Sequence, residues 1–206
     1  KLLAAKDYDG FEQLAMKDRS MTSPFGSGLS PISLFYEAIA GTPNPTNPDT
    51  FKKEIDSLNA WVQSRPNSVT AKIALADATS WDAWYARGGG YANTVTDDKW
   101  AVFNHKLQQA ADLLNSVKDK RKSYPHWYFV IERVGRGQSW NKEDFLKITQ
   151  EGTSLYPKLP EIYSAAVIYL LPRWSGSNGD VVDYVTKSAD WLGGDDGDIL
   201  YARLAK

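Results

Sequence analysis

Pro66, Pro125 and Pro157 each follow the end of one apolar, helix-periodic run and introduce the next, in the contexts Ser-Arg-Pro, Ser-Tyr-Pro and Leu-Tyr-Pro. Proline suits the first turn of a helix and breaks its interior, so this punctuation cuts the chain into helical units. Period-two alternation of the kind a half-buried strand needs is scarce between them. The step from Pro125 to Pro157 is close to the roughly 34 residues of a tetratricopeptide unit. The unit from Pro66 to Pro125 is larger, with longer helices.

The expected helices follow from capping and periodicity. A first helix over 2–17 leads into a polar, Gly-rich link over 20–30, then a short apolar helix over 32–40. The Pro-rich stretch 41–48 reads as a stiff exposed loop, with Asp49 or Thr50 capping a helix over 51–64. A helix over 68–87 carries Ala71, Ala74, Ala76 and Ala78, which let a neighbour approach, and ends at Gly88 to Gly90. Thr96 caps the next, with Asp97 and Asp98 at its positive end and Lys118, Lys120, Arg121 and Lys122 at its negative end. Asn141 caps a helix bearing Glu143 and Asp144, Pro160 opens one ended by Pro172, and two more cover 181–191 and 199–204. Asp195, Asp196 and Asp198 read as caps of the last. The expected fold is all-α: an irregular, tetratricopeptide-like array of antiparallel helical hairpins, an α-α superhelix. Its 206 residues fit a single domain, with N-terminal helices and a Pro-rich loop over 1–48 and stacked hairpins over 49–206. The 8 Trp and 11 Tyr supply the bulk that packing between irregular helices requires.

With 24 Lys and Arg against 25 Asp and Glu, the net charge of -1 gives no long-range field to gather polyanions, so nucleic acid is not the expected partner. Cysteine is absent, which excludes disulfides and thiolate chemistry and fits either a bacterial cytoplasm or a periplasm. The longest apolar run, 165–171, is far short of the roughly 20 residues of a membrane span. The chain opens at Lys1 rather than Met, as after either a trimmed start or a removed leader.

Three turns stand out. Arg87-Gly88-Gly89-Gly90-Tyr91, Gly135-Arg136-Gly137 with Trp140, and Arg173-Trp174-Ser175-Gly176 each join arginine, glycine and an aromatic at a helix end. In a stack of hairpins the turns within each hairpin share one edge, so the three become neighbours. Guanidinium forks recognise carboxylates and carbonyls, glycine admits a close approach, and aromatics supply contact area. The candidate binding residues are therefore Trp84, Tyr85, Arg87, Tyr91, Arg136, Trp140, Arg173 and Trp174. The same residues have an architectural reading: glycine ends helices, arginine can bond the last carbonyls, and tryptophan wedges between hairpins. Trp81, Trp84 and Tyr85 share a helical face and form a second candidate, an aromatic cleft with Asp82 or Arg87 at its rim.

His105 and His126 lack metal-ligand spacing and read as solvated surface residues. No metal or cofactor is implied. No nucleophile elbow, phosphate loop or dinucleotide fingerprint occurs, so no catalytic residue is assigned, although distant carboxylates can converge in a helical fold.

The runs Trp84 to Ala92 and Thr94-Val95-Thr96, with Trp100 and Phe103, and Leu170-Leu171-Pro172-Arg173-Trp174-Ser175-Gly176, resemble a bacterial family known only as a domain of unknown function. The resemblance extends from about Leu2 to the C-terminus, with Ser175 in place of a glycine. It implies a tetratricopeptide-like fold and transfers no activity. The expected function is protein binding rather than catalysis, in a concrete form an immunity or adaptor protein for a toxin or secretion component. Two alternatives stand: an enzyme or glycan-type small-ligand receptor at Trp81, Trp84 and Tyr85, and a structural subunit of an oligomer.

Overall fold

A computed structural model describes residues 6–21, 29–40 and 48–205. The structure is all-α, with no strand among the described residues. The α-helices of the described residues are α1 (Tyr8–Ser20), α2 (Pro31–Ala40), α3 (Pro48–Ser64), α4 (Val69–Arg87), α5 (Asp97–Asn115), α6 (Pro125–Gly137), α7 (Lys142–Leu155), α8 (Pro160–Tyr169), α9 (Asp180–Leu192) and α10 (Gly194–Leu204). Short 3-10 turns, Ala92–Thr94 and Lys118–Ser123, flank α5. The described helices include none long and apolar enough to cross a membrane.

The capping logic is realised locally. Ser68 accepts from the Ala71 amide ahead of α4, and Asn141 from the Asp144 amide ahead of α7, each at 2.9 Å. Pro125 and Pro160 open α6 and α8. Pro66 and Pro157 instead lie in turns a few residues ahead of their helices. Several boundaries move. The first helix begins at Tyr8, capped by Asp7, and runs to Ser20; residues 2–5 of the expected helix, 22–28 of the expected link and 41–47 of the Pro-rich loop lie outside the described residues. Asp49 and Thr50 fall inside the first turn of α3 rather than ahead of it. Lys118, Lys120, Arg121 and Lys122 do not extend α5, because the Val117 amide bonds Leu114 O at 3.2 Å and tightens the chain into a 3-10 turn. α8 stops at Tyr169, ahead of Pro172. Asp195 and Asp196 lie in the first turn of α10, which begins earlier than expected, at Gly194.

Helices α4 and α5 form the most extensive pair, and α4 is the spine: Ala71, Ala74, Ala76, Ala78 and Ala83 are fully buried, so α3, α5, α6 and α2 all approach it closely. The main core joins α1 to α6 with the start of α8 around Trp61, Trp127, Tyr36 and Phe103. Two smaller clusters, Phe145 with Tyr169 and Tyr163 with Val185 and Leu200, attach the C-terminal helices.

Candidate functional site

The C-terminal ends of α4 and α6 and the loop after α8 meet. Arg136 lies 4.8 Å over the Trp84 ring and 5.3 Å over Trp174, whose rings cross edge to face at 5.3 Å. Arg87 completes the layer, 5.1 Å over Trp100, 5.8 Å over Trp84 and 5.9 Å over Trp174. Phe103 of α5 backs Trp84 at 4.9 Å. Guanidinium groups interleaved with indoles gain from the ring quadrupole while their edges stay able to donate.

Glycine makes this closeness possible. A Cβ on Gly137 would run into Leu107 and stand 3.0 Å from Phe103 and 3.3 Å from Trp84. One on Gly135 would meet Trp140 at 2.9 Å, and one on Gly176 would overlap the Leu170 carbonyl. The α6 end is closed by paired bonds, Trp140 N to Gly135 O at 2.9 Å and Ser139 N to Arg136 O at 3.3 Å, with Ser139 at φ 55 in the position glycine prefers.

The eight candidates therefore divide. Trp84, Arg87, Arg136 and Trp174 come together, with Trp100 as a fifth member. Arg87 is buried and turns back on its own loop, its Nη1 donating to Gly88 O at 3.1 Å and Gly90 O at 3.0 Å, which is the architectural role open to it. Arg173 is exposed and close enough for its charge to act on Arg136. Tyr85 and Tyr91 are exposed, and Tyr91 contributes its carbonyl to Thr94 rather than its ring. Trp140 fastens helices: its Nε1 donates to Gln138 and its carbonyl accepts from Tyr169 at 2.7 Å. In the second candidate cleft, Trp81 is covered by Arg133 at 4.1 Å, and Asp82 is paired with Lys106 at 2.5 Å.

The electrostatics are one-sided. Neither Arg87, Arg136 nor Arg173 is paired with an acidic side chain among the described residues. Arg136 Nε and the indole N–H groups of Trp84 and Trp174 are buried without acceptors among the described residues. Burial first, then the charges of Arg133 and Arg173, pull the Arg136 guanidinium down to about 10. Such a set of donors is satisfied by an anionic oxygen.

One turn deeper lies a second polar centre. Arg133 and His126 both hold Asp77, His126 through Nε2 at 2.5 Å, and Ser80 joins Arg133 at 3.0 Å. His126 is buried and stacked on Tyr36 at 4.0 Å, so the expectation of a solvated histidine is corrected: the ring is enclosed by α2 and α4. His105 is exposed. Burial works to raise the Asp77 carboxyl, but Arg133 and His126 outweigh it and hold it down at about 2. The sequence signal for this centre was a lone acid among the alanines of α4 and the pair Glu132-Arg133 inside an apolar run. Glu132 is also buried, accepting from Thr149 at 2.6 Å.

Comparison of the chain with protein-family models, with curated proteins and with solved structures returned no match in any of the three.

Proposed function

We propose that this chain is a protein-interaction module, a tetratricopeptide-like array whose arginine-tryptophan edge receives an acidic group of another protein. The observation that carries the reading is the meeting of three distant turns into a layer of guanidinium and indole groups with donors left over and no acid among them. An acidic side chain or a terminal carboxylate supplies what those donors lack, and the indoles supply the surrounding contact area. In its concrete form the partner is a bacterial toxin or secretion component and the chain its immunity or adaptor protein. The alternative of a small-ligand cleft at Trp81, Trp84 and Tyr85 has less support, since Arg133 covers Trp81 and Arg136, Phe103 and Trp174 surround Trp84.

Titration with a peptide rich in aspartate and glutamate, against its fully amidated counterpart, tests the reading. The acidic peptide is expected to bind and to weaken with salt. Arg173→Ala and Trp174→Ala, both outside the main core, are expected to weaken it roughly tenfold or more. Equal binding of the amidated peptide, or unaltered affinity in both variants, removes this edge from the binding surface.

A further inference from the structure

A cleft of about 280 Å³ opens between α7, α8 and α9, walled by Thr149 and Thr153, by Tyr163, and by Tyr184, Lys187 and Trp191. It shares no residue with the arginine-tryptophan edge. Three of its hydroxyls are committed to acceptors of the protein itself. Thr149 Oγ1 donates to Glu132 Oε1 at 2.6 Å, Thr153 Oγ1 to the Thr149 carbonyl at 3.0 Å, and the Tyr163 phenol to the Pro157 carbonyl at 3.1 Å. A hydroxyl has one proton to give, so these three offer further partners only lone pairs. Trp191, 58% exposed, adds an open indole.

Glu132 stands directly behind Thr149. It is 1% exposed, its Oε2 has no partner among the described residues, and no basic side chain is paired with it there. Its field reaches the cleft wall: burial, and after it the charge of Glu132, pushes the Tyr184 phenol up.

We infer that this cleft binds a small organic ammonium ion, with Glu132 as the buried counter-charge and Tyr163, Tyr184 and Trp191 as the aromatic faces around the cation. Lone pairs on the wall accept its N–H groups, or its polarised C–H groups where the nitrogen is fully substituted. The aromatic rings attract its charge, and a buried carboxylate gains a cation it otherwise lacks.

Burial pushes the Glu132 carboxyl well above its usual range, against the opposing hydrogen bond from Thr149. A cation in the cleft favours the carboxylate, so the proton that the carboxyl carries at acid pH leaves to solvent when the ligand binds. Tyr163, raised to about 12 by burial, and Tyr184 stay neutral and do not compete. On the same helix, His126 and Arg133 are committed to Asp77. Lys187, on the α9 wall, lies 3.9 Å from Asp183 and is mostly in solvent, where its charge is screened.

Calorimetric titration of the full chain with choline and n-butylammonium tests this, against the neutral 3,3-dimethylbutanol and n-pentanol and against methyl glucoside. The ammonium ions are expected to bind roughly tenfold or more tightly than the alcohols, with affinity rising from acid to neutral pH. Glu132→Gln keeps an acceptor for Thr149 and is expected to lower ammonium affinity roughly tenfold. Trp191→Ala, at an exposed position that leaves the core intact, is expected to lower it about threefold or more. Binding of the alcohols as tight as that of the ammonium ions, a preference for methyl glucoside, no binding of either ammonium ion, or unaltered affinity in a folded Glu132→Gln or in Trp191→Ala overturns the assignment.

Discussion

Asp77 sits where a carboxylate is costly, 3% exposed among the alanines of α4, and it stays ionised because Arg133 and His126 both bond it. Its folded value of about 2 lies below the ordinary 3.8, so the folded state binds fewer protons than the unfolded chain between those values. The resulting stabilisation is complete above the ordinary value and is lost as pH falls through about 2. Asp77→Asn leaves Arg133 buried without a counter-charge and is expected to cost about 3–5 kcal/mol at neutral pH. The variant should also lose the acid-side slope of the parent, as urea unfolding at a series of pH values would register.

At the scale of the element, the loop from Leu170 to Gly176 positions Trp174 through backbone bonds: Trp174 N bonds Leu171 O at 2.8 Å and Ser175 N bonds Tyr169 O at 3.1 Å. A side chain on Gly176 would run into the Leu170 carbonyl. Gly176→Ala is therefore expected to open the loop, lower stability by about 1–3 kcal/mol, and abolish acidic-peptide binding although every arginine and tryptophan remains. Near-ultraviolet circular dichroism of the tryptophans and the same peptide titration check both outcomes. The helices and the convergence of Trp84, Arg87, Arg136 and Trp174 were legible because caps, prolines and hairpin order are local signals. His126 was not, because its burial depends on Tyr36 and Asp77 from two other helices. The division of labour within the turns was equally hidden: nothing in Arg87-Gly88-Gly89-Gly90 says that the arginine folds back onto those carbonyls, whereas Arg136, flanked by two glycines, is left with unmet donors. The cleft at Trp191 was not legible, because its walls come from three helices and the carboxyl behind Thr149 from a fourth.

Across the whole molecule, apolar packing is unevenly shared. One large cluster unites α1 to α6, while α9 and α10 are attached through two small groups, one around Tyr163, Val185, Leu200 and Leu204 and one where Val181 and Tyr184 meet Phe145 and Tyr169. Local opening is cheapest where least apolar surface is held. Amides of α9 and α10 are expected to exchange with solvent deuterium well before those of α4 and α6 under native conditions, and equal protection throughout would count against this division.

Tyr184 and Trp191 belong to that weakly attached hairpin, yet they face Thr149 across the cleft, and Thr149 is anchored to Glu132 in the well-packed part. A guest lodged between them would act as a clasp. By mass action it would slow the loosening of the final hairpin and tie the reach of the C-terminal end to the concentration of a small molecule.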